Sequence, residues 1–320
     1  MSAARGSIPA AGGFLLVDKP AGPSSHLAVQ QGRRALGIGG RRGTRAGHAG
    51  TLDPFATGLL VVLIGRATRL MPFVVGHDKS YVVDVRFGAA SDTDDATGEL
   101  IVSDAPQPSR VAVVDAVQVL ARRTEQVPPA VSAIHIDGVR SYQRVRRGET
   151  VTVPPRAIRI DAIDLLDWRD ATAADGAWAR LEVRCGTGTY MRALARDLGD
   201  LVGCPAHCEA LRRTRVGAWR VEDAIAPVDA SVDRIRAATE LVGDLPTVRL
   251  DDAAAVAAVA AGRRVPMTGI DPPVDADQAI AVLGPDDALV AIGHPHDDAG
   301  QLLQPRTVLV DPPVVEGSTP

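Results

Sequence analysis

The chain carries at residues 47–58 the stretch Gly47-His48-Ala49-Gly50-Thr51-Leu52-Asp53-Pro54-Phe55-Ala56-Thr57-Gly58. One carboxylate, Asp53, lies in this segment among three glycines, which allow sharp turns and the close approach of a ligand. Pro54 biases Asp53 towards an extended conformation and away from a helix. The apolar run at 59–64 that follows predicts a buried strand. The stretch therefore predicts a loop that holds one carboxylate beside a buried strand.

The residue types alone leave the role of Asp53 open. The carboxylate is suited to act as a nucleophile, a general base or a metal ligand, and an Asp-Pro pair also serves as an ordinary turn. A retaining glycosidase needs a second carboxylate facing the first, and no second acidic residue lies near Asp53 in the sequence. A turn without chemistry and a catalytic loop both remain consistent with the stretch.

Length and composition indicate a globular protein with one large domain and a smaller one. The chain has 320 residues, of which 46% are hydrophobic. No apolar run approaches the length of a membrane span, and the N-terminal residues lack the apolar core of a signal peptide. We therefore expect a cytoplasmic protein that does not associate with membranes.

Charge is distributed unevenly along the chain. Residues 1–80 contain ten Lys and Arg against three Asp and Glu, whereas residues 221–320 contain six against 17. Arginine accounts for all but two of the basic residues, and its planar guanidinium binds phosphate through two N–H groups. This pattern is consistent with a basic, phosphate-binding face on an acidic protein, and equally with chance clustering on a solvated surface.

The three cysteines, Cys185, Cys204 and Cys208, fit a reducing compartment rather than a disulfide framework. Cys204, His207 and Cys208 lie close in sequence, but a structural zinc site needs four ligands in paired spacings. We expect all three cysteines to be small buried hydrophobic residues.

Apolar patterning predicts a mixed α/β (α+β) domain built on an extended, mostly antiparallel sheet, followed by a small β-rich module. We expect a flexible extension at 1–12, a catalytic domain at 13–244, the small module at 245–310 and a disordered tail at 311–320. The glycine-rich segment 37–58 is expected to be a long loop. The main predicted strands are at 14–17, 59–64, 81–87, 131–136, 158–166, 178–185 and 206–216, and the main helices at 25–36, 67–75, 111–123 and 190–202.

An acidic segment at 92–99 resembles a calcium-binding loop only superficially. The loop position that requires glycine is Thr97, and the position that requires glutamate is Ser103. We therefore expect a solvated turn here.

The 47–58 stretch resembles the signature of the bacterial tRNA pseudouridine synthase B family, and further blocks continue the resemblance. The blocks that carry the resemblance occur in the family's order over roughly the first 220 residues. They are the 47–58 stretch, Asp18-Lys19-Pro20 with Ser24-Ser25, Lys79-Ser80-Tyr81, Thr93-Asp94, Cys185-Gly186-Thr187-Gly188-Thr189-Tyr190-Met191-Arg192, Ala206-His207 and Leu211-Arg212-Arg213. The C-terminal part matches weakly, and a small RNA-binding barrel of PUA type is expected there by analogy with the family.

The resemblance implies a reaction and a substrate. Uridine at position 55, in the T loop of tRNA, is isomerised to pseudouridine after the base is flipped out of its stack. The C1′–N1 bond breaks and a C1′–C5 bond forms, without a cofactor or a metal. The resemblance also implies a monomer that needs no guide RNA and no obligatory protein partner.

The resemblance assigns roles to seven residues. Asp53 matches the catalytic aspartate, which attacks C6 of the base or C1′ of the ribose, or promotes glycal formation. The other matches are an aromatic ring that stacks on the extruded uracil, a histidine that fills the vacated space, a tyrosine near the base, an arginine paired with the aspartate, a leucine of the pocket wall and a lysine that supports that wall. In this sequence they are Tyr81, His48, Tyr190, Arg192, Leu211 and Lys19. Tyr81 as an ordinary strand residue and Lys19 as a solvated surface residue are the alternatives.

Two features depart from the family pattern. Ala49 stands where a threonine is common, and the segment 38–44 is longer and richer in glycine than is typical. Two other functions stay open: a related synthase with a different RNA target, and an RNA-binding or tRNA-folding protein whose catalysis is secondary. Candidate phosphate contacts are Arg33, Arg34, Arg41, Arg42, Arg45, Arg212, Arg213 and Arg215.

Overall fold

The computed structural model describes residues 8–39, 43–132, 135–136, 138–141, 144, 147–149, 151–267, 275, 277–296 and 301–311. In the described residues the strands are β1 Gly13–Lys19, β2 Ala46–Ala49, β3 Thr57–Ile64, β4 Lys79–Phe87, β5 Ala89–Ser91, β6 Leu100–Val102, β7 Glu125–Gln126, β8 His135–Ile136, β9 Val139–Arg140, β10 Arg156–Ala157, β11 Ile160–Arg169, β12 Trp178–Cys185, β13 Ala206–Val216, β14 Trp219–Arg220, β15 Arg236–Ala237, β16 Thr247–Arg249, β17 Val265–Pro266, β18 Ile280–Leu283, β19 Leu289–Pro295 and β20 Leu302–Val308.

Helical segments are fewer and mostly short. The α-helices are α1 Ser25–Ala35, α2 Met71–Val75, α3 Arg110–Leu120, α4 Met191–Val202 and α5 Ala253–Ala260. 3₁₀-helices lie after β3 at Gly65–Leu70, between β14 and β15 at Val221–Asp223, Pro227–Asp229 and Val232–Arg234, and after β15 at Ala238–Val242. No helix in the described part of the chain is long and apolar enough to cross a membrane.

One large sheet organises the catalytic part of the chain. Its strands lie in the order β11-β12-β4-β13-β3-β1-β15, with β2 paired to β3 and β14 paired to β13. All of these pairs are antiparallel except the short β13–β3 contact. The prediction of an extended, mostly antiparallel sheet is confirmed.

The parallel contact between β3 and β13 requires a glycine. Gly58 has a φ of +105°, and a Cβ placed there would lie 2.2 Å from the carbonyl oxygen of Arg213. Only glycine therefore permits the two strands to come this close immediately after the Asp53 loop.

Three of the helices pack on the large sheet. α3 and α4 pack on the faces of β4, β12 and β13 through Val83, Leu181, Leu194 and Leu198, among others. α1 packs through Ala28 and Val29 on alternate residues of β1 and β3. Ser24 caps α1, since its side chain accepts a hydrogen bond from the N–H of Leu27. The strands buried on both faces explain the nearly continuous apolar run of β3.

The C-terminal module is a five-stranded sheet with the order β16-β18-β19-β20-β17, packed against α5. Residues of β18 and β19 share a hydrophobic core with β1 and β3, which includes Leu289 and Ile292 together with Phe14 and Leu63. Arg69 donates a hydrogen bond to the carbonyl of Val308. This module is therefore packed directly on the large sheet.

The structure confirms most predicted elements and corrects two. The strands at 178–185 and 206–216 match residue for residue. The segment 37–58 is not a continuous loop, because β2 forms within it and pairs with β3. The strand predicted at 131–136 is reduced to β8, and residues 133–134 lie outside the described residues. The predicted tail lies outside them from residue 312 onwards.

Candidate active site

The loop between β2 and β3 carries Asp53 and is fixed on both sides of it. Before it, the Ser25 hydroxyl donates to the carbonyl of Leu52 and accepts from its N–H, both at 2.8 Å. After it, the Lys19 ammonium donates to the carbonyl of Pro54 at 3.1 Å. Ser25 and Lys19 are both buried. Asp53 is therefore placed by contacts made to its two neighbours in the chain.

Lys19, the last residue of β1, is fully buried and does not line the cleft described below. Its other two donated hydrogen bonds go to the carbonyls of Pro20 and Pro23, both at 2.8 Å. Burial lowers the pKa of Lys19 to about 8, against the opposing attraction of Asp53. The alternative of a solvated surface lysine is wrong, because the side chain is buried and all three of its hydrogen bonds go to backbone carbonyls.

Asp53 forms an ion pair with Arg192, which lies in the first turn of α4. Arg192 Nε is 2.9 Å from Asp53 Oδ2, and Nη2 is 3.3 Å from Oδ1. The arginine side chain is 5% exposed and the aspartate side chain 34% exposed. A buried guanidinium thus orients a carboxylate that remains open to the cleft.

The remaining N–H groups of Arg192 are held by the protein. Nη1 donates to the carbonyl of Thr93 at 2.9 Å, and Nη2 to the carbonyl of Val131 at 3.0 Å. The carboxylate of Asp95 lies 3.5 Å from Nη1. With contacts on every side, the guanidinium has little freedom to turn away from Asp53.

The acidic segment at 92–99 folds against this arginine. The buried Asp95 carboxylate accepts hydrogen bonds from the Thr97 N–H at 2.9 Å and from the Thr93 hydroxyl at 3.0 Å. Asp94 pairs with Arg196 of α4 at 2.8 Å. The expectation of a solvated turn is therefore wrong for Asp94 and Asp95, which tie the segment to α4. Within the described residues no group of three or more His, Cys, Asp or Glu side chains is placed to hold a metal ion.

A cleft of about 300 Å³ opens beside Asp53. It brings together five of the seven residues that the sequence singles out: Asp53, Tyr81, Tyr190, Arg192 and Leu211. The remaining walls come from the loop before Asp53, the end of α2, the start of β4 and the loop between β12 and α4; they include Gly50, Val75, Lys79, Ser132, Thr187, Thr189 and Arg213.

Two tyrosine rings face this cleft from different elements. Tyr81 lies on β4 and is 8% exposed, and Tyr190 immediately precedes α4. Gln126 fixes the backbone of Tyr190, accepting from its N–H at 2.9 Å and donating to its carbonyl at 3.2 Å. Burial raises the pKa of both phenols, so both rings are uncharged at neutral pH.

His48 lies outside the cleft, on β2 opposite Val62 of β3. Its Nδ1 is buried and has no hydrogen-bond partner among the described residues. Burial lowers the pKa of His48, and the positive charge of Arg213 adds to this effect, so the ring is neutral at neutral pH.

The burial of Arg213 beside the Asp53 loop is the feature of the site that the sequence did not predict. It is only 1% exposed, and its guanidinium donates to the carbonyls of Leu59 at 2.7 Å, Gly50 at 3.0 Å and Thr51 at 3.4 Å. These carbonyls lie on both sides of the Asp53 loop. Arg213 therefore fixes that loop, and the expectation that it contacts phosphates is wrong.

Lys79, at the start of β4, is the second buried cation at the cleft. Its ammonium donates to the carbonyls of Val75 at 2.9 Å and His77 at 2.5 Å. Burial lowers its pKa to about 8, with a further contribution from Arg213. The only sequence feature that pointed to Lys79 was its position two residues before Tyr81, in the short motif Lys79-Ser80-Tyr81.

The other arginines proposed for phosphate contact differ in solvent exposure and in whether a carboxylate already binds them. Arg212 is engaged by Asp18 at 2.8 and 3.1 Å. Arg34, Arg45 and Arg215 are exposed. Arg33 is partly buried, and Arg41 and Arg42 lie outside the described residues.

All three cysteines are free and buried, as predicted. Burial raises the pKa of Cys185 to about 11 and raises those of Cys204 and Cys208. The thiols are therefore protonated and behave as small hydrophobic groups.

Comparison with known proteins identifies the family. A family model for the N-terminal domain of TruB family pseudouridylate synthases matches residues 33–191, and one for the C-terminal domain of tRNA pseudouridylate synthase B matches residues 192–233. The tRNA pseudouridine synthase B of Leifsonia xyli subsp. xyli is 41% identical over 294 residues, 88% of this chain and 91% of that protein. The chain belongs to the TruB family. It is a tRNA pseudouridine synthase, an isomerase that acts on tRNA, as the resemblance predicted.

Further relatives and solved structures extend this result. The tRNA pseudouridine synthase B of Thermobifida fusca is 38% identical over 300 residues, covering 91% of this chain and 97% of that protein. A chain from an H/ACA ribonucleoprotein bound to a substrate RNA containing 2′-deoxyuridine has a TM-score of 0.67 at 21% identity, covering 97% of this TruB chain and 92% of the other. A chain from a Cbf5–Nop10–Gar1 complex gives 0.66 at 22% identity over the same shares. These structures confirm the predicted fold, a catalytic α/β domain with a β-rich C-terminal domain.

Proposed function

We propose that this TruB enzyme isomerises uridine 55 in the T loop of tRNA, with Asp53 as the catalytic carboxylate. One observation carries the proposal: a buried arginine orients a partly exposed carboxylate in a cleft that is also lined by an uncharged tyrosine ring. In this arrangement Arg192 binds the carboxylate of Asp53 on the side that faces away from the cleft. The side that faces the cleft remains free to react. The enzyme acts as a cytoplasmic monomer without cofactor, guide RNA or protein partner.

The target base must leave its stack to reach Asp53, which costs about a few kcal/mol. Stacking of the uracil on an aromatic ring recovers about 1–3 kcal/mol per base. Tyr81 supplies this ring, and Tyr190 and Leu211, which line the same cleft, contact the base as well. The neutral imidazole of His48, two residues before Gly50 of the cleft wall, fills the space that the base vacates in the RNA.

The reaction then exchanges one bond for another within the nucleotide. The C1′–N1 bond breaks, the uracil turns, C1′–C5 forms, the C5 proton is lost and N1 gains a proton. In this proposal Asp53 attacks C6 of the base or C1′ of the ribose, or removes a ribose proton on a glycal route. Each route requires the carboxylate to be held at one position, which is the role of Arg192.

The decisive assay measures the release of tritium from C5 of uridine in a synthetic, unmodified T-arm stem-loop. Purified wild-type protein alone, in EDTA, is expected to release tritium from position 55. D53N is expected to abolish release while RNA affinity stays within about threefold. Near-normal turnover by D53N would contradict the catalytic role.

A matched RNA tests the target. The same stem-loop with cytidine at position 55 and a uridine moved to another loop position should release no tritium. Release from the moved uridine, or from unrelated RNA at an equal rate, would indicate a related synthase with a different target. Restoration of fitness to a deletion strain by D53N would indicate that RNA folding is the main function.

A further inference from the structure

A second cavity lies on the other side of Lys79 from the active-site cleft. It has a volume of about 330 Å³ and is formed where β4, β12 and β13 meet at one end of the sheet. Lys79 is the one residue shared by the linings of the two cavities. A single ligand chain that passes over Lys79 would therefore reach both cavities.

The register of the strands places two arginines in this cavity. Arg184 on β12 and Arg215 on β13 are both paired with Ser80 of β4, one from each side. Residues that pair directly in a sheet project from the same face, and successive residues alternate, so both arginines project from the face opposite to Tyr81. They do so at the end of the sheet, where Lys79 begins β4 and lines both cavities. Both arginines are exposed and line the cavity.

Arg215 is engaged by the protein through only one of its nitrogens. Its Nε donates to the carbonyl of Gly217 at 2.6 Å, and within the described residues no other hydrogen bond or ion pair of this guanidinium is present. Lys79 likewise donates to two carbonyls, which leaves one of its three N–H groups without an acceptor among the described residues. Both cations thus have donors to offer a ligand.

The acidic residues of the cavity are already compensated. Asp78 and Asp161 both form ion pairs with Arg159, the latter at 3.3 Å. Arg184 lies 3.2 Å from Asp164. Lys79 and Arg215 therefore remain as charges without a carboxylate partner among the described residues. A cavity with two such cations favours a compact anion.

We propose that this second cavity is a phosphate subsite for the substrate RNA, in which Lys79 and Arg215 hold a backbone phosphate next to the flipped nucleotide. The guanidinium of Arg215 presents its two terminal nitrogens to the phosphate oxygens, and Lys79 adds a point charge from the floor. With the base in the cleft and the adjacent phosphate in the second cavity, the reacting nucleotide is fixed from two sides of Lys79. The choice of ligand rests on the proposed function, since it assumes that the RNA strand enters the cleft.

The test uses Arg215, which is exposed, so that R215Q is expected to fold. R220Q is the matched control, because Arg220 pairs with Arg215 in the β13–β14 register but does not line the cavity. Binding of the T-arm stem-loop is measured from 50 to 300 mM KCl. R215Q is expected to weaken binding about tenfold and to reduce the salt slope by roughly 0.7, the value for one contact to single-stranded RNA. R220Q is expected to stay within about twofold of wild type.

RNAs in which one phosphate is replaced by an uncharged methylphosphonate identify the phosphate that Arg215 contacts. Stem-loops with a single methylphosphonate 5′ or 3′ of the target uridine, or at one stem position, are compared on wild type and R215Q. The penalty of R215Q is expected to disappear with one of the two flanking substitutions and to persist with the stem substitution. Equal effects of R215Q and R220Q, or a penalty that persists with both flanking substitutions, would overturn the subsite.

The same experiment separates this inference from the proposed function. Wild-type protein that binds the stem-loop but does not isomerise it would contradict the assignment of uridine 55, while the R215Q and methylphosphonate comparison would still decide the subsite. Normal isomerisation with no R215Q penalty would overturn the subsite alone. A penalty for R215Q with inorganic phosphate and none with RNA would indicate a free-anion site and would also overturn it.

Discussion

The buried ammonium of Lys19 is linked to the backbone of the residue that follows Asp53, through the hydrogen bond to the carbonyl of Pro54 at 3.1 Å. Its other two donors are used by Pro20 and Pro23, in the chain just after β1. A buried, positively charged side chain therefore connects the end of β1 to the active-site loop. Its low pKa follows from this burial, and it has a measurable consequence.

The contribution of Lys19 to folding is expected to increase between pH 8 and pH 10. Its pKa is about 8 in the folded protein and 10.5 in the unfolded chain, so in this interval the unfolded state binds more protons. The free energy of unfolding of wild type relative to K19M should therefore rise with pH. Chemical denaturation of both proteins at pH 7, 8, 9 and 10 measures this difference, and a flat or falling difference would contradict the lowered pKa.

R192K is expected to lower kcat by at least about 100-fold, with a much smaller effect on RNA affinity. Lysine keeps the charge but lacks the two nitrogens that hold both oxygens of Asp53, and a small misplacement of a reacting group has an effect of this size. Single-turnover tritium release and filter binding separate the two effects. The ion pair would have no positioning role if R192K turned over RNA at the wild-type rate.

D95N is expected to lower kcat about tenfold, since Asp95 contacts Arg192 at 3.5 Å and supports the turn that offers the Thr93 carbonyl. Asp92, in the same segment but exposed, provides the control D92N, which should stay within about twofold. Comparison of kcat and of thermal melting in both variants distinguishes positioning from general destabilisation. Equal activities for D95N and D92N would refute the role of Asp95.

Y81F and Y81L separate the ring of Tyr81 from its hydroxyl group. Phenylalanine keeps the stacking surface, so Y81F should retain most activity, whereas Y81L should lose about 5- to 150-fold, corresponding to about 1–3 kcal/mol of stacking. The measurement is kcat/KM for tritium release. Y81L turning over at the rate of Y81F would exclude base stacking as the function of this residue.

Sequence reasoning succeeded where a local pattern determines the structure. The apolar runs of β3 and β12 and the amphipathic pattern of α4 predicted those elements almost to the residue. The order of short motifs identified the family and five residues that meet in one cleft. β2 was missed because it has only four residues, lies within a glycine-rich segment and pairs with β3, which supplies the apolar surface.

Burial of charged residues was the least predictable property. Arg213 and Arg212 are adjacent and chemically identical, yet one is enclosed by three carbonyls and the other pairs with Asp18 beside solvent. Alternation along β13 distinguishes them only when the covered face of the strand is known. The acidic segment at 92–99 was misjudged for the same reason, since the arginines that compensate it lie about 100 residues away on α4.

The three carbonyl contacts of Arg213 also bear on the energetics of RNA binding. They hold the Asp53 loop in one conformation before any RNA is present, so the conformational entropy of that loop is lost once, during folding, and not at each encounter. The free energy of association then depends chiefly on the rearrangement of the RNA. Substrates whose loop base is already loosely stacked should therefore gain the most, and discrimination among RNAs would reflect how readily each one opens.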